Sequence, residues 1–267
     1  MSHGHFDQPD QPQFGKLMEQ QTDQGSFDAA AYWNERLSAD FSLRGVGHAQ
    51  FTQRYNRWLY ARKEDVLRKA LAGLPGGVSG KSILDIGPGT GFFVERYLAG
   101  GGHVTGIDIS QRSVEELARR FPQAEFRHLD IGNPSGVLAG RSFDIINMWD
   151  VMYHIVSEEG FANACRNIAQ MSHVGTRFLM TDLMAAEGPV SPAQHVIFRN
   201  RAAYERILGN MGFQLAETRP LYRFLNRHYP WPNAITDRLG FLWYQLDSMN
   251  RRLAPYNICF SIWERRS

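Results

Sequence analysis

The feature that most constrains this chain is the stretch Leu84-Asp85-Ile86-Gly87-Pro88-Gly89-Thr90-Gly91-Phe92-Phe93. An apolar run that reads as a buried strand passes into three glycines at alternate positions, and then into a segment of helical character. Without Cβ atoms such a loop turns tightly and lets a ligand lie against its backbone. The amides that open the following helix supply unsatisfied donors. Spacing narrows the ligand. A dinucleotide loop reads G-x-G-x-x-G, which would require glycine at 92 or 94, but those positions hold Phe92 and Val94. No GK[ST] follows to cradle a triphosphate.

The surrounding texture places this loop in an α/β chain. Strands are expected over residues 82–86, 103–109, 124–131, 143–149, 176–183, 213–224 and 256–263. Helices are expected over 91–98, 110–120, 158–171, 201–211 and 234–253, with a Pro-containing loop after Ala185. This alternation predicts a mostly parallel, doubly wound sheet with right-handed crossovers. Ligands of such sheets bind outside the carboxyl ends of the strands, at the topological switch point. Residues 29–71 read as two or three aromatic-rich helices, and Gly73-Leu74-Pro75-Gly76-Gly77 then breaks the chain. Residues 1–28, rich in Gln, Asp, His and Gly, read as a flexible leader with no secretory pattern.

Composition excludes several classes of function. The two cysteines, Cys165 and Cys259, are far apart and in no CxxC pattern, so neither a disulfide framework nor a structural zinc is expected. They suit a reducing cytoplasm. A formal net charge of +2 gives no case for a nucleic-acid partner. No apolar run reaches the length of a transmembrane helix, and no membrane partner is expected. The oligomeric state stays open.

The glycine loop resembles motif I of the class I S-adenosylmethionine-dependent methyltransferases, an acidic residue followed by GxGxG. Asp108 at the end of the second strand, Asp130 after the third, and the segment from Phe143 to His154 match further elements of that family in order. The resemblance covers roughly residues 80–184 well and the terminal strands more loosely. It implies a Rossmann-like methyltransferase fold of seven strands, the last antiparallel beside the fifth. It implies S-adenosyl-L-methionine as cofactor and S-adenosyl-L-homocysteine as product. It also implies cofactor contacts from Asp85, Gly87, Gly89, Gly91, Asp108, Ile109, Asp130, Ile131, Trp149 and Asp150, with Asp108 on the ribose hydroxyls and Asp130 near adenine. Residues 29–78 then become an N-terminal helical lid and substrate segment, and 79–267 the cofactor-binding domain, with a helical insertion at about 228–254 that departs from the minimal family core.

The acceptor is the less constrained half. After the fourth strand the chain reads Asn147-Met148-Trp149-Asp150, not the [ND]PP[YF] of nucleic-acid or glutamine amine methylation, so a small-molecule acceptor is expected, with oxygen ahead of nitrogen or carbon; the alternative is a catalytically silent member of the fold that only binds the cofactor. His154, with Tyr153 beside it, is the candidate general base. Asp150 is open to three roles: holding the cofactor's amino group, binding a metal, or capping a helix. Asp182 is followed by Leu183 instead of the asparagine of metal-using relatives, so no metal is expected. Tyr32 and Tyr55 are candidates for enclosing the substrate, with plain core packing as the competing role. Arg199 is a candidate clamp for a carboxylate or phosphate. Gly45-Val46-Gly47 reads as a hinge for the lid.

Overall fold

The computed structural model describes residues 27–134, 138–184, 188–227, 229, 232–249 and 254–267. Most of the expected leader, residues 1–26, lies outside the described residues. Among the described residues three helices come first: α1 (Ala29–Ala39), α2 (Leu43–Val46) and α3 (Gln53–Ala72). There follow β1 (Ser82–Ile86), α4 (Phe92–Ala99), β2 (His103–Asp108), α5 (Gln111–Arg120), β3 (Glu125–His128), β4 (Phe143–Met148), α6 (Glu158–Gln170) and β5 (Ser172–Asp182). The chain closes with β6 (Val190–Ala193), β7 (Val196–Phe198), α7 (Arg201–Gly209), β8 (Phe213–Tyr222), α8 (Asn233–Ser248) and β9 (Ile258–Arg265).

Seven strands form one sheet in the order β3-β2-β1-β4-β5-β9-β8. The first five are parallel, and β9 inserts antiparallel between β5 and β8. Strand alternation sends each apolar residue to one of two layers. Ile83, Ile145, Leu179 and Ile262 pack with Phe93, Val94 and Tyr97 of α4 and with Leu59, Val66 and Leu67 of α3. Leu84, Ile146, Phe178 and Trp263 pack on the other face with Phe161, Ala164 and Ile168 of α6 and Tyr204 of α7. The connection leaving β1 crosses to β2 on one side, and β4 lies on the other. The switch point therefore falls at the carboxyl end of β1, where the glycines stand.

Two expectations about elements change. The segment after Ala185 holds a small hairpin, β6 with β7, as well as loop. Pro192, which disguised it, sits where the ladder slips register, so its missing N–H interrupts no regular pairing. The third strand ends at His128. Asp130 Oδ1 accepts from the Gly132 amide at 2.8 Å and its Oδ2 from Asn133 Nδ2 at 3.0 Å, an Asx turn that takes the chain out of the sheet.

Candidate active site

The floor of the site is local backbone. Gly87, Gly89 and Gly91 have φ of 70°, 56° and 81°, a region closed to most side chains. A Cβ on Gly87 would stand 2.4 Å from Val151 Cγ2, and one on Gly89 2.7 Å from Val46 Cγ1. Asp108 anchors this loop: Oδ2 accepts from the Gly89 amide at 3.0 Å and from Ser113 Oγ at 2.9 Å, and Oδ1 from the Ser110 amide at 2.8 Å. Burial raises its carboxyl, and those three donors offset part of the rise. Asp108 therefore shapes the loop as well as facing the cavity, and its removal would disturb both. Above these residues lies a cavity of about 560 Å³, within the range of small-molecule sites. Gly87, Gly89, Asp108, Ile109, Asp130, Ile131, Trp149 and Asp150 all line it.

Asp85 and Gly91 do not line it. Gly91 sits below, where a Cβ would meet Leu117 Cδ2 at 2.6 Å, so glycine here serves packing of α4 on α5. Asp85 is buried beneath the loop, taking Asn147 Nδ2 at 2.7 Å. Asn147 Oδ1 in turn accepts from Tyr97 Oη at 2.9 Å and Trp149 Nε1 at 2.7 Å. Burial pushes the Asp85 carboxyl up to about 7. This side-chain network props the loop and Trp149 from below. Trp149 is stacked between Phe93 at 4.8 Å and Phe260 at 4.9 Å.

At the carboxyl end of β4, Asp150 takes φ 57°, unusual for a residue other than glycine. Thr181 holds it there: the Asp150 amide donates to Thr181 Oγ1 at 2.8 Å, and that hydroxyl donates to Asp150 Oδ1 at 2.8 Å. Asp150 Oδ2 pairs with Lys63 Nζ of α3, and Lys63 also lies 4.0 Å from the Tyr60 ring centroid. Burial opposes the Lys63 charge, but Asp150 and Tyr60 outweigh it and hold the ammonium above its ordinary value. Burial likewise opposes ionisation of Asp150, and Lys63 overcomes it, so the carboxyl is held below its usual range. Both groups face the cavity as ions.

The cover is built by residues distant in sequence. Phe27, Asp28, Trp33, Leu37 and Val46 form one wall. Asp28 caps α1 through the Ala31 amide at 2.9 Å, and Asn34 Oδ1 accepts from Ser110 Oγ at 2.9 Å, tying α1 to the end of β2. His154 lines the cavity, with its ring edge-on to Trp33 at 5.1 Å. Its Nδ1 lies 2.8 Å from the carbonyl oxygen of His195, in the hairpin. A carbonyl only accepts, so Nδ1 carries the proton and Nε2 is the basic nitrogen. Burial holds this imidazole neutral, with a pKa lowered to about 4. The His195 ring stacks on both His154 at 5.6 Å and Tyr32 at 5.2 Å. Tyr32 thus joins the outer shell of the cover, and its hydroxyl accepts from Arg36 Nη1 at 3.0 Å.

Three expectations are corrected. Tyr55 does not reach the cavity: it is fully buried against Phe51, between α3 and α8. Arg199 is no free clamp. It is 2% exposed, lies 4.1 Å over the Phe161 ring and pairs with Glu158 at 2.9 Å, and it is not among the residues that line the cavity. The Gly45 and Gly47 pair answers to packing: a Cβ on Gly45 would stand 1.8 Å from Asp40 O, and one on Gly47 2.3 Å from Asn56 Oδ1. Tyr153 neighbours the site without lining the cavity; burial, then Asp150, raises its hydroxyl well above the usual range. Sequence reasoning missed Lys63, Thr181, Asn147 and His195. Lys63 left a trace, as a rare lysine flanked by Tyr60, Val66 and Leu67 in an apolar helix face.

Comparison with known proteins agrees with this geometry. A methyltransferase-domain family model matches residues 83–175, the stretch from β1 into β5. The chain is 30% identical over 98 residues to a ubiquinone biosynthesis O-methyltransferase of Aromatoleum aromaticum, a match spanning 35% of this chain and 42% of that protein. It is 24% identical over 244 residues to a demethylmenaquinone methyltransferase of Tropheryma whipplei, covering 86% of this chain and 92% of that one. The crystal structure of a magnesium protoporphyrin IX methyltransferase from Synechocystis with its S-adenosylmethionine shares the fold, with TM-score 0.60 at 17% identity over 92% of this chain and all of that one. The matched stretch carries the glycine loop, Asp108 and the segment after β4: residues 83–175 are a methyltransferase domain, on the Rossmann-like fold that S-adenosylmethionine-dependent methyltransferases share.

Proposed function

We propose that the chain transfers the methyl group of S-adenosylmethionine to an oxygen of a small-molecule acceptor. The observation that carries this reading is His154, a neutral imidazole on the cavity wall whose tautomer leaves Nε2 free to accept a proton. A hydroxyl acceptor has a proton to lose, and a base poised beside it is what that chemistry requires.

The cofactor supplies a methyl already activated on a sulfonium. The chain's part is to bind, align and exclude water. The cavity suits the cofactor: it has the volume of a small-molecule site, and the backbone of Gly87 and Gly89 forms part of its lining. Asp108 faces the ribose end, with Oδ1 holding one donor and capacity for another. Asp130 and Ile131 flank the adenine. Asp150 and Lys63 form a carboxylate–ammonium pair complementary to an α-amino-acid zwitterion: Asp150 takes the ammonium and Lys63 the carboxylate. Residues 29–78 act as the cover on the acceptor side, with Trp33 enclosing the acceptor beside His154 and with His195 and Tyr32 backing them from outside the cavity. Two free buried cysteines, Cys165 and Cys259, suit a reducing compartment such as the cytoplasm.

The test is production of S-adenosylhomocysteine with a panel of phenols, carboxylic acids, amines and carbon nucleophiles. Turnover of a hydroxyl or carboxyl acceptor, lost in His154→Gln, is expected. Turnover confined to amines or carbon acids would overturn the oxygen assignment and leave the reaction class standing.

A further inference from the structure

The helix inserted before the last strand shows an apolar face that nothing in the cavity explains. In α8, Ile235, Phe241 and Leu242 are 47%, 52% and 46% exposed, and Met249 just beyond its end is 50% exposed. They recur with Arg238 and Gln245 at spacings of three and four, which places them on one stripe. Solvent-exposed side chains of this size seldom gather on one face without a partner.

The other face of α8 packs on α3 and on the segment that follows β8. Trp58 lies 5.5 Å from Tyr244, and Phe241, at the border of the two faces, packs one side on Trp58 at 5.2 Å while 52% of it stays exposed. Thr52 Oγ1 donates to Asp237 at 2.5 Å, and Tyr244 Oη to Asp65 at 2.7 Å. Gly240 permits this approach, since a Cβ there would meet Trp58 Cδ1 at 2.5 Å. The acids Asp237 and Asp65 are thereby drawn into the α3–α8 seam. The exposed residues of α8 include no acid. Arg54 and Arg57 of α3, beside Trp58, are also exposed, and among the described residues neither they nor Arg238 form a salt bridge. The surface is thus apolar and cationic together. Arg251 and Arg252 follow in sequence, outside the described residues.

We propose that this face of α8, with Arg54 and Arg57, docks the protein on an anionic phospholipid bilayer. Charge selects the occupant. A second copy meeting the first across a two-fold axis would bring arginine stripes together with no acid to pair them. A bilayer surface offers both requirements: apolar side chains enter the headgroup–acyl boundary while guanidiniums meet lipid phosphates. No described helix is long and apolar enough to cross a membrane, and in-plane docking needs none.

The experiment is co-sedimentation of the full chain with phosphatidylglycerol–phosphatidylcholine vesicles and with phosphatidylcholine vesicles, at low and high salt. Expected is partition onto the anionic vesicles that weakens with salt. The double variant Phe241→Ser/Leu242→Ser should reduce it about tenfold or more, the scale for losing two interfacial side chains. Arg54→Glu/Arg238→Glu should weaken it and flatten the salt dependence. Both variants alter exposed positions, and unchanged S-adenosylhomocysteine binding would verify their fold. Absence of partition by the wild type, or partition indifferent to all four substitutions, overturns the proposal. So does a concentration-dependent dimer in sedimentation velocity that Phe241→Ser/Leu242→Ser abolishes, because the face would then belong to a second copy.

Discussion

The floor and the cover of the cavity are built in different ways. The floor is backbone: three left-handed glycines and Asp108, whose contacts to Gly89, Ser110 and Ser113 lie within 24 residues of chain. The cover is side chains: Lys63 meets Asp150 across 87 positions, and His154 meets His195 across 41. A floor of this kind is tied to one ligand shape, since every close contact is fixed by the main chain. A cover of this kind can change its lining without disturbing the sheet. We propose that this difference divides the work: the floor holds the cofactor, the Lys63–Asp150 pair its amino-acid end, and the rest of the cover the acceptor.

The largest expected effect is at the ion pair that joins the two regions. Lys63→Ala leaves half-buried Asp150 without its counter-ion and should cost up to about 3 kcal/mol of stability. Urea denaturation measures it, and the double variant Lys63→Ala/Asp150→Ala should recover part of the loss. Equal stability of Lys63→Ala and wild type would mean that the pair does not hold the cover to the floor.

His154→Gln comes next. It should lower kcat by roughly 10²–10⁴-fold, the range for losing a positioned base, and leave cofactor affinity nearly unchanged. The pH profile sharpens this. The base works in its neutral form, so activity is present above the folded pKa and is lost as pH falls through about 4. Stability follows the same sign. Because the folded pKa is depressed, this group's contribution is full above the unfolded imidazole value and declines as pH falls from there toward about 4. An acid limb near the ordinary imidazole value, still dependent on His154, would show that the cover opens to solvent during turnover. The smallest effect belongs to Tyr32→Phe, which removes only the hydroxyl that accepts from Arg36. It should raise the acceptor KM a few-fold, about the worth of one hydrogen bond, with kcat little changed.

The same division explains what the sequence disclosed. The glycine loop, Asp108 and the strand alternation were legible because they are local: spacing along the chain is spacing in the structure. The antiparallel last strand followed from the family resemblance. Tyr55 and Arg199 were misplaced because residue type does not report which way a helix face turns. Tyr55 faces α8, and Arg199 lies on Phe161. Lys63 and His195 escaped notice because their partners are assigned only by the tertiary fold. The hairpin was hidden by Pro192, which reads as a break until the slipped register is seen.

The central claim, that the floor binds cofactor and the cover handles the acceptor, is tested most directly by titration calorimetry of S-adenosylhomocysteine into two variants. In Gly89→Val a branched side chain enters a position with φ 56° whose first added carbon already stands 2.7 Å from Val46. Its affinity should fall by about 100-fold or more, or roughly 2.7 kcal/mol, while His154→Gln stays within about twofold of wild type. Loss of binding in His154→Gln with binding retained in Gly89→Val would contradict the account.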